Sequence, residues 1–159
     1  MAILPAFDLL LDSYPNLPLA KVKTMIGARV DADYVTNACT LRISRALNYS
    51  SVKVPFIKDA KGKQQTLKGS DALWYIFRVS VLEKYLNDTY GRADISVKGK
   101  PDEGVSRDPF LNAKGIIGMR VTSWTDATGH FTLWDGRKFV DKHDAYLSVA
   151  SEVWLWKVP

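Results

Sequence analysis

The sequence predicts an α+β fold in which N-terminal helices, one of them carrying the only cysteine, pack on a C-terminal antiparallel sheet. Two observations favour this fold. Cys39, Ile43, Ala46 and Leu47 follow one another at the spacing of a single helix face. Later in the chain, the dipeptide Asp135-Gly136 separates two alternating runs, which is a strong signal for a β-hairpin.

Two short helices are predicted ahead of the cysteine. Residues 5–14 and residues 19–26 each carry apolar side chains at helical spacing, and each stretch is followed by a residue that ends helices. Residues 29–36 are polar and irregular. They lead into a third helix, for which Asn37 is the predicted N-cap and in which Cys39 lies in the first turn.

Loops, one strand and one helix are predicted in the middle of the chain. Residues 51–68 are rich in lysine and predict a surface loop. The aromatic and β-branched residues 73–79 predict a strand, although Ser70-Asp71 could also start a helix. The capping-box pattern S-x-x-E at residues 80–83 predicts a helix that runs to Tyr90. Residues 92–112 predict a long loop, either one wall of a functional cleft or a disordered insertion.

The C-terminal third of the chain predicts the sheet. Residues 116–121 and 153–158 are apolar runs of strand length. Between them, residues 123–128 form a polar loop that carries Trp124 and Asp126.

The predicted hairpin brings a histidine and an acid together. A two-residue type I′ turn at Asp135-Gly136 pairs residues by reflection: 134 with 137, 132 with 139 and 130 with 141. His130 and Asp141 are then directly opposite each other, with Cβ atoms roughly 4.5–5.5 Å apart. At that distance a carboxylate accepts a hydrogen bond from an imidazole. His143 is left outside this pairing and is expected to be a surface histidine.

The three side-chain types together are those that thiol acyl transfer requires. The free N–H groups and the dipole at a helix start favour the thiolate form of Cys39. His130 can exchange protons with the thiol, and Asp141 can orient the imidazole. A lone cysteine is most often a small buried apolar residue, so the histidine and aspartate motif is what favours catalysis.

Composition narrows the class of protein. With 159 residues, 47% of them hydrophobic and 25% charged, the chain is expected to form one soluble domain over residues 1–159. No apolar run approaches the roughly 20 residues of a membrane span, and no secretory signal is found, so we expect synthesis in the cytoplasm and no membrane insertion. One cysteine and two histidines fit neither a disulfide nor a usual zinc site. No Gly-rich phosphate loop is found, and no metal or cofactor is expected.

The net charge of +5 is compatible with an anionic partner such as nucleic acid, a membrane surface or a wall polymer. The basic residues are scattered, however, and form no run of three or more. Such a distribution is typical of a solvated surface, and we expect no nucleic-acid partner.

Two stretches of the chain resemble the fourth family of type VI secretion amidase effectors. Within residues 27–50, the motif NACTLRIS around Cys39 resembles the cysteine helix of that family, and Tyr34 stands where the family carries an aromatic residue. Within residues 110–141, the motif GHFTLW resembles the histidine block. Asp141 lies at the family's spacing for the third residue.

The resemblance implies a papain-like fold of the NlpC/P60 kind. It also implies a bacterial toxin, secreted by a type VI apparatus, that one Gram-negative cell injects into the periplasm of a rival. There the toxin would hydrolyse the peptide stem of peptidoglycan at the amide between D-glutamate and meso-diaminopimelate. A cognate immunity protein that blocks the cleft is implied as well.

On this interpretation the protein is a cysteine amidohydrolase with Cys39, His130 and Asp141 as its catalytic residues. The oxyanion is expected to meet the backbone N–H of Cys39 and one further donor. Tyr34 and Asn37 are the candidates for that donor and for substrate binding, although Asn37 also fits a plain N-cap.

Trp124 and Asp126 are expected to line the substrate cleft, although a tryptophan is equally common in a core. Two other functions fit the sequence. One is a thiol acyltransferase that uses the same residues, and the other is a non-catalytic module that binds cell wall or nucleic acid with Cys39 inert. Reaction of Cys39 with iodoacetamide at about pH 6 separates enzyme from binding module, because an ordinary thiol is almost wholly protonated there.

Overall fold

The computed structural model describes residues 2–159. These residues form four α-helices, six β-strands and three short 3-10 helices. The α-helices are α1 Phe7–Ser13, α2 Leu19–Ile26, α3 Cys39–Asn48 and α4 Val79–Tyr90. The strands are β1 Thr66–Lys68, β2 Trp74–Ile76, β3 Ile95–Lys98, β4 Gly115–Arg120, β5 Gly129–Trp134 and β6 Glu152–Lys157. The 3-10 helices are Ala28–Asp31, Asp108–Phe110 and Asp144–Val149.

A four-stranded antiparallel sheet lies at the centre of the fold, with strand order β3-β6-β4-β5. In β4, Met119 pairs with His130 of β5 on one side and with Val153 of β6 on the other. Strands β4, β5 and β6 are buried along nearly their whole length. Both faces of the sheet are therefore covered, which explains why these strands are continuous apolar runs in the sequence.

Helix α3 packs on this sheet through the predicted apolar face. Cys39, Ile43, Ala46 and Leu47 are buried in the same core cluster as Phe131 of β5. Each large apolar side chain buried in this way contributes about 1.5–3 kcal/mol relative to an exposed one, so this face holds the helix firmly on the sheet. The predicted α+β arrangement is confirmed.

A separate two-stranded sheet, β1 with β2, lies beside α3. Two polar side chains of the helix hold β2 in place. Ser44 Oγ accepts the N–H of Ile76 at 2.9 Å, and Asn48 Nδ2 donates to the carbonyl of Trp74 at 2.8 Å. Helix α2 packs on this two-stranded sheet, because its Val22 and Ile26 lie in one apolar cluster with Leu67 of β1 and Tyr75 of β2.

The predicted two-residue hairpin after β5 is wrong in register. Trp134 pairs with Phe139 rather than with residue 137, so residues 135–138 form a four-residue connection. Asp135 explains the difference, because its Oδ1 accepts hydrogen bonds from two backbone N–H groups of the connection, at 2.8 and 2.9 Å. An Asp-Gly pair can stabilise a longer loop in this way as readily as a tight turn.

The return segment leaves the sheet soon after this bridge. The N–H of Val140 still donates to Leu133 at 2.9 Å, but the next residues form a turn in which the N–H of Lys142 donates to Phe139 at 3.1 Å. Asp141 lies in that turn. It therefore approaches β5 from a loop and not from a paired strand.

Several further predictions need correction. The predicted loop over residues 92–112 contains β3, an edge strand of the main sheet, and the 3-10 helix Asp108–Phe110. Helix α4 begins at Val79, one residue before the predicted N-cap Ser80. Among the described residues, no side chain forms a capping hydrogen bond at this helix start, so the predicted capping box is absent. Glu83, the acid of that pattern, instead pairs with Arg120 of β4 at 3.3 Å. The predicted loop over residues 51–68 ends in strand β1, and the stretch predicted to be irregular, residues 29–36, begins within the 3-10 helix Ala28–Asp31. The predicted helices and strands are present, with ends shifted by a few residues.

Candidate active site

Cys39 is the first residue of α3 and is almost fully buried, with 1% of its surface exposed. Its backbone N–H donates to Asn37 Oδ1 at 2.9 Å, and this bond fixes the entry of the chain into the helix. The N-cap position is occupied by Ala38 and not, as predicted, by Asn37. Asn37 stabilises the helix start from the residue that precedes the N-cap. The thiol lies at the positive end of the helix dipole, where an anion is stabilised.

His130 and Asp141 form a buried pair next to this helix start. Only 8% and 2% of their side chains are exposed. His130 Nε2 and Asp141 Oδ2 are 2.5 Å apart, which is a short hydrogen bond between groups of opposite charge. The other carboxylate oxygen, Oδ1, accepts the backbone N–H of His143 at 3.1 Å, so both oxygens of Asp141 are held in place.

Cys39 acts on the same imidazole, because its hydrogen bonding and its negative charge both help to raise the pKa of His130. Because Nε2 is held by Asp141, the ring nitrogen left for the thiol is Nδ1. The three side chains that the sequence predicts to be catalytic therefore meet in one cluster. His130 is the central residue, with its Nε2 bonded to the carboxylate and its Nδ1 left for the thiol.

The electrostatics of the cluster favour a charged imidazole. Burial opposes the charged form of His130, but the hydrogen bond to Asp141 and the hydrogen bond and negative charge of Cys39 outweigh it and raise the pKa of His130 from 6.5 to about 9. Burial likewise raises the pKa of Asp141, but the hydrogen bond and charge of His130 outweigh it and leave that pKa below its ordinary value of 3.8. At neutral pH the pair is an imidazolium and a carboxylate.

A cleft of about 420 Å³ opens beside this cluster, and His130 forms part of its wall. Asn37, Trp124 and Asp126, three of the predicted substrate-binding residues, also line it. Trp124 is only half-buried and packs edge-on against the ring of Tyr146, with centroids 4.8 Å apart. The side chain thus combines the two predicted roles, because it packs on the domain with one part and faces the cleft with another.

Tyr34, the fourth predicted substrate-binding residue, lies outside this cleft. Its side chain is 61% exposed and packs edge-on against Phe77, with ring centroids 6.0 Å apart. It lines a different groove, which is built around β1 and β2.

Arg42 also lines the cleft, although it is not among the predicted substrate-binding residues. It follows Cys39 by three residues on α3, and this spacing is the sequence signal that could have placed it near the thiol. Its Nη2 donates to the carbonyl of Leu17 at 2.7 Å. Its Nε is buried and has no hydrogen-bond partner among residues 2–159.

Tyr146 and His143 are two further cleft residues that the sequence analysis did not assign to the site. The Tyr146 ring meets His130 edge-on at 5.0 Å and stacks on His143 at 4.7 Å. His143 is exposed, as expected for a surface histidine, yet it stands at the mouth of the site. Tyr146 comes from the 3-10 helix Asp144–Val149, whose position follows from loop geometry that has no periodic sequence signal.

Tyr146 stays neutral in this setting. Burial raises the pKa of its hydroxyl, and the negative charges of Asp141, Cys39 and Asp126 raise it further. The hydroxyl is therefore available as a hydrogen-bond donor at the edge of the cleft.

No helix within residues 2–159 is both long enough and apolar enough to cross a membrane. In the same part of the chain, no group of three or more His, Cys, Asp and Glu side chains is arranged to hold a metal ion.

A sequence profile of one protein family matches most of the chain. The family is described as "Type VI secretion system (T6SS), amidase effector protein 4", or Tae4, and its profile matches residues 35–156. The matched range includes Cys39, His130 and Asp141. No curated protein matches the sequence.

Solved structures of Tae4 proteins are similar to this chain over its whole length. The effector Tae4 from Enterobacter cloacae is 32% identical, with a TM-score of 0.84 and 100% of both chains covered. The Tae4–Tai4 effector–immunity complex from Salmonella Typhimurium contains a chain that is 29% identical, with a TM-score of 0.81, and the match covers 98% of this chain and 99% of that chain. For the corresponding complex from Enterobacter cloacae the identity is 30%, the TM-score 0.80 and the coverage the same. This chain therefore belongs to the Tae4 family of type VI secretion system amidase effectors.

Proposed function

We propose that this amidase effector is a cysteine amidohydrolase that cuts the peptide stem of peptidoglycan. The observation that carries the proposal is the cluster of Cys39, His130 and Asp141 at the start of α3, beside an open cleft. On this proposal the whole chain is one catalytic domain with a papain-like arrangement of the NlpC/P60 kind, in which a helix begins at the nucleophile and the sheet supplies the base.

Cys39 is the nucleophile of the proposed reaction. Because the pKa of His130 is about 9, its imidazole is charged at neutral pH and stabilises a neighbouring thiolate. The thiolate attacks the carbonyl carbon of the amide. His130 then passes its Nδ1 proton to the departing amine, and the acyl part of the substrate remains on Cys39 as a thioester.

Water resolves the thioester. The imidazole, now neutral, accepts a proton from water at Nδ1 while the water oxygen attacks the thioester carbonyl, and Cys39 leaves as a thiolate. Asp141 keeps the proton on Nε2 and holds the ring in one orientation through both steps. The products are a free carboxylate and a free amine.

Asn37 is our candidate oxyanion donor, because the backbone N–H of Cys39, the donor expected from the sequence, is already bonded within the protein. Its Oδ1 already accepts the N–H of Cys39, so its Nδ2 is the atom left to donate to a substrate carbonyl in the cleft. The Asn37→Asp variant keeps the acceptor oxygen and removes this donor. We expect kcat to fall roughly 10²–10³-fold with little change in melting temperature. A structural role alone predicts that Asn37→Asp keeps its activity.

The bond that we propose is the amide between D-glutamate and meso-diaminopimelate. The stem carries carboxylates near this bond and an ammonium group on diaminopimelate. Arg42 and Asp126 offer opposite charges along the cleft. Arg42 is suited to a substrate carboxylate and Asp126 to the ammonium group.

We also propose that the protein acts in the periplasm of a recipient cell and that a cognate immunity protein neutralises it. Support comes from the relatives in Salmonella Typhimurium and Enterobacter cloacae, which have been solved as complexes with Tai4. For this chain we expect the immunity protein to cover the cleft at Cys39. A bound immunity protein should then protect the thiol from alkylation.

Digestion of purified peptidoglycan tests the proposal. Wild-type protein, Cys39→Ala and Cys39→Ser are incubated with the polymer, and the soluble fragments are identified by mass. We expect the wild type alone to release fragments with a new amino group on diaminopimelate and a new carboxylate on D-glutamate. Fragments cut at another amide would overturn the assigned bond, and equal release by Cys39→Ala would overturn the nucleophile.

A further inference from the structure

A second groove, of about 660 Å³, is lined by residues of the 3-10 helix Ala28–Asp31 and of the β1–β2 unit. Four cationic side chains line it: Arg29, Lys63, Lys68 and Arg78. All four are exposed. We call this feature the basic groove.

The positive charge of the basic groove is not compensated. No acidic side chain lines it, and within residues 2–159 none of its four cations takes part in an ion pair. These cations come from separate parts of the sequence, so no charge run marks the groove there. Four uncompensated cations around one concave surface favour an anionic ligand.

Aromatic rings form the rest of the surface. Tyr34, Trp74 and Phe77 line the groove, and Tyr34 is 61% exposed. The Arg78 guanidinium lies 4.6 Å from the centre of the Phe77 ring, and the Lys68 ammonium lies 5.7 Å from the centre of the Trp74 ring. Rings held in this way present flat apolar faces between the charges, which suits a ligand that alternates apolar and anionic groups.

The basic groove is a neighbour of the catalytic cleft. Tyr34 lines the groove, and Asn37, three residues later, lines the cleft. Three residues of extended chain span at most about 11 Å, so the two sites lie side by side on the surface. A single peptide stem in the cleft would leave the groove empty, whereas a polymer could occupy both.

We propose that the basic groove binds peptidoglycan outside the stem that is being cut. This inference rests on the proposed function and extends it to substrate choice. Neighbouring stems on a glycan strand repeat the free carboxylates that four cations would attract, and the sugar rings offer apolar faces to Tyr34 and Trp74. The groove thereby makes the enzyme prefer polymeric wall to short soluble fragments.

A charge-neutralised variant tests the groove against a matched control. The groove variant carries Arg29→Gln, Lys63→Gln and Lys68→Gln. The control variant carries Lys53→Gln, Lys138→Gln and Lys157→Gln, which remove the same charge at exposed positions outside the groove. Each protein is assayed on intact sacculi and on a soluble disaccharide-peptide with one stem, at low salt and at about 0.5 M salt.

We expect the groove variant to lose roughly tenfold in rate on sacculi at low salt, because each exposed charge contact contributes modestly and salt screens it. Its kcat/KM on the soluble fragment should match that of wild type and control. Equal losses on both substrates, or no loss on sacculi, would overturn the proposal. Failure of the wild type to cut either substrate would instead overturn the proposed function.

Co-sedimentation of the protein with sacculi measures binding to the wall independently of catalysis. Cys39→Ala should bind sacculi, and the groove changes should weaken that binding while the control changes do not. Tyr34→Ala should weaken it too, whereas Tyr34→Phe should keep the binding of sacculi, because the ring and not the hydroxyl is the contact. If the groove variant loses affinity for a single-stranded oligonucleotide but not for sacculi, the groove is a nucleic-acid site and the proposal fails.

Discussion

Two aspartates near His130 in the sequence have different surroundings, and single substitutions separate their roles. Asp141 Oδ2 contacts His130 Nε2, whereas Asp135 Oδ1 only accepts backbone N–H groups of its own loop. We expect Asp141→Ala to lower kcat roughly 10³–10⁴-fold, the scale for loss of the acid that fixes the tautomer, or less if the thiolate–imidazolium pair forms without it. Asp135→Asn should be nearly silent, because the amide keeps the acceptor oxygen. The measurement is kcat on a soluble stem peptide.

The reverse outcome has a clear meaning. If Asp135→Asn abolished activity in a folded protein and Asp141→Ala did not, the buried pair would be a structural contact only. Asp141→Asn is an informative intermediate, because its amide oxygen can still accept from the imidazole N–H. It should retain more activity than Asp141→Ala.

His130 also links folding stability to pH. Its pKa rises from 6.5 to about 9 in the fold, because the hydrogen bonds to Asp141 and Cys39 outweigh burial. A group whose pKa rises on folding stabilises the fold fully below its unfolded pKa, and that contribution is lost as the pH rises through the folded value. We expect this contribution of His130 to the free energy of unfolding to be lost between about pH 6.5 and pH 9. Urea titrations at a series of pH values measure it.

The His130→Gln variant is the control for this titration, because other groups also titrate in the alkaline range. The difference between wild type and variant isolates the histidine. Parallel curves for the two proteins would show that the imidazole does not carry the charge assigned to it. Asp141, whose pKa is lowered in the fold, adds a separate loss of stability as the pH falls below its ordinary value near 3.8.

At the scale of elements, the close packing of β4 against β5 sets the position of His130. Gly118 in β4 pairs with Phe131, and a Cβ at residue 118 would overlap the Phe131 ring. That ring is fully buried and packs against the rings of both Trp154 and Trp156. We expect Gly118→Ala to destabilise the protein by about 1–3 kcal/mol, as measured by urea unfolding.

A second substitution tests whether Gly118→Ala destabilises the protein through overlap with the Phe131 ring or through a backbone effect of replacing glycine. Phe131→Leu removes the part of the ring that the new methyl group would meet. The double variant Gly118→Ala/Phe131→Leu should therefore be more stable than the sum of the two single changes predicts. Strict additivity would mean that the two side chains do not interact, and the packing argument would then be wrong.

The elements that the sequence predicts well are those with a long apolar period. The Cys39 face of α3 and the apolar strands β4 and β6 are of this kind, because burial alone determines them. The hairpin register was predicted wrongly, since Asp135 can bond a four-residue loop as well as a two-residue turn and the local sequence does not distinguish them. Strand β3 was missed because only four residues pair, between segments rich in glycine and proline.

In the candidate site, too, some residues can be predicted from the sequence and others cannot. Cys39, His130 and Asp141 could be found from residue type and spacing, but the turn that delivers Asp141 could not. Tyr146 enters the cleft from a 3-10 helix whose position depends on long-range packing, so no local pattern marks it. Tyr34 lies beside the motif in sequence yet lines a different groove from Asn37, and no local pattern distinguishes the two residues.

At the scale of the whole molecule, folding distributes the positive charge unevenly over the surface. The sequence carries a charge of +5 with its basic residues scattered, which alone indicates only a solvated surface. The fold collects four of these residues in the basic groove, adjacent to the catalytic cleft. A polymer drawn to that groove would bring its stems to Cys39, so the distribution of charge and the proposed chemistry favour the same substrate.

The toxicity of the protein should depend on the compartment that it reaches, because the proposed substrate lies outside the cytoplasm. Expressed in the cytoplasm of a Gram-negative host, the protein should be nearly harmless. Fused to a periplasmic export signal it should lyse the cells, as followed by the fall in culture turbidity. Cys39 is the only cysteine, so the fold has no disulfide to form and should be the same in both compartments. A difference in toxicity then reports access to the wall rather than a difference in folding. Exported Cys39→Ala is the control and should be tolerated, while equal killing from both compartments would contradict a wall substrate and indicate a target inside the cell.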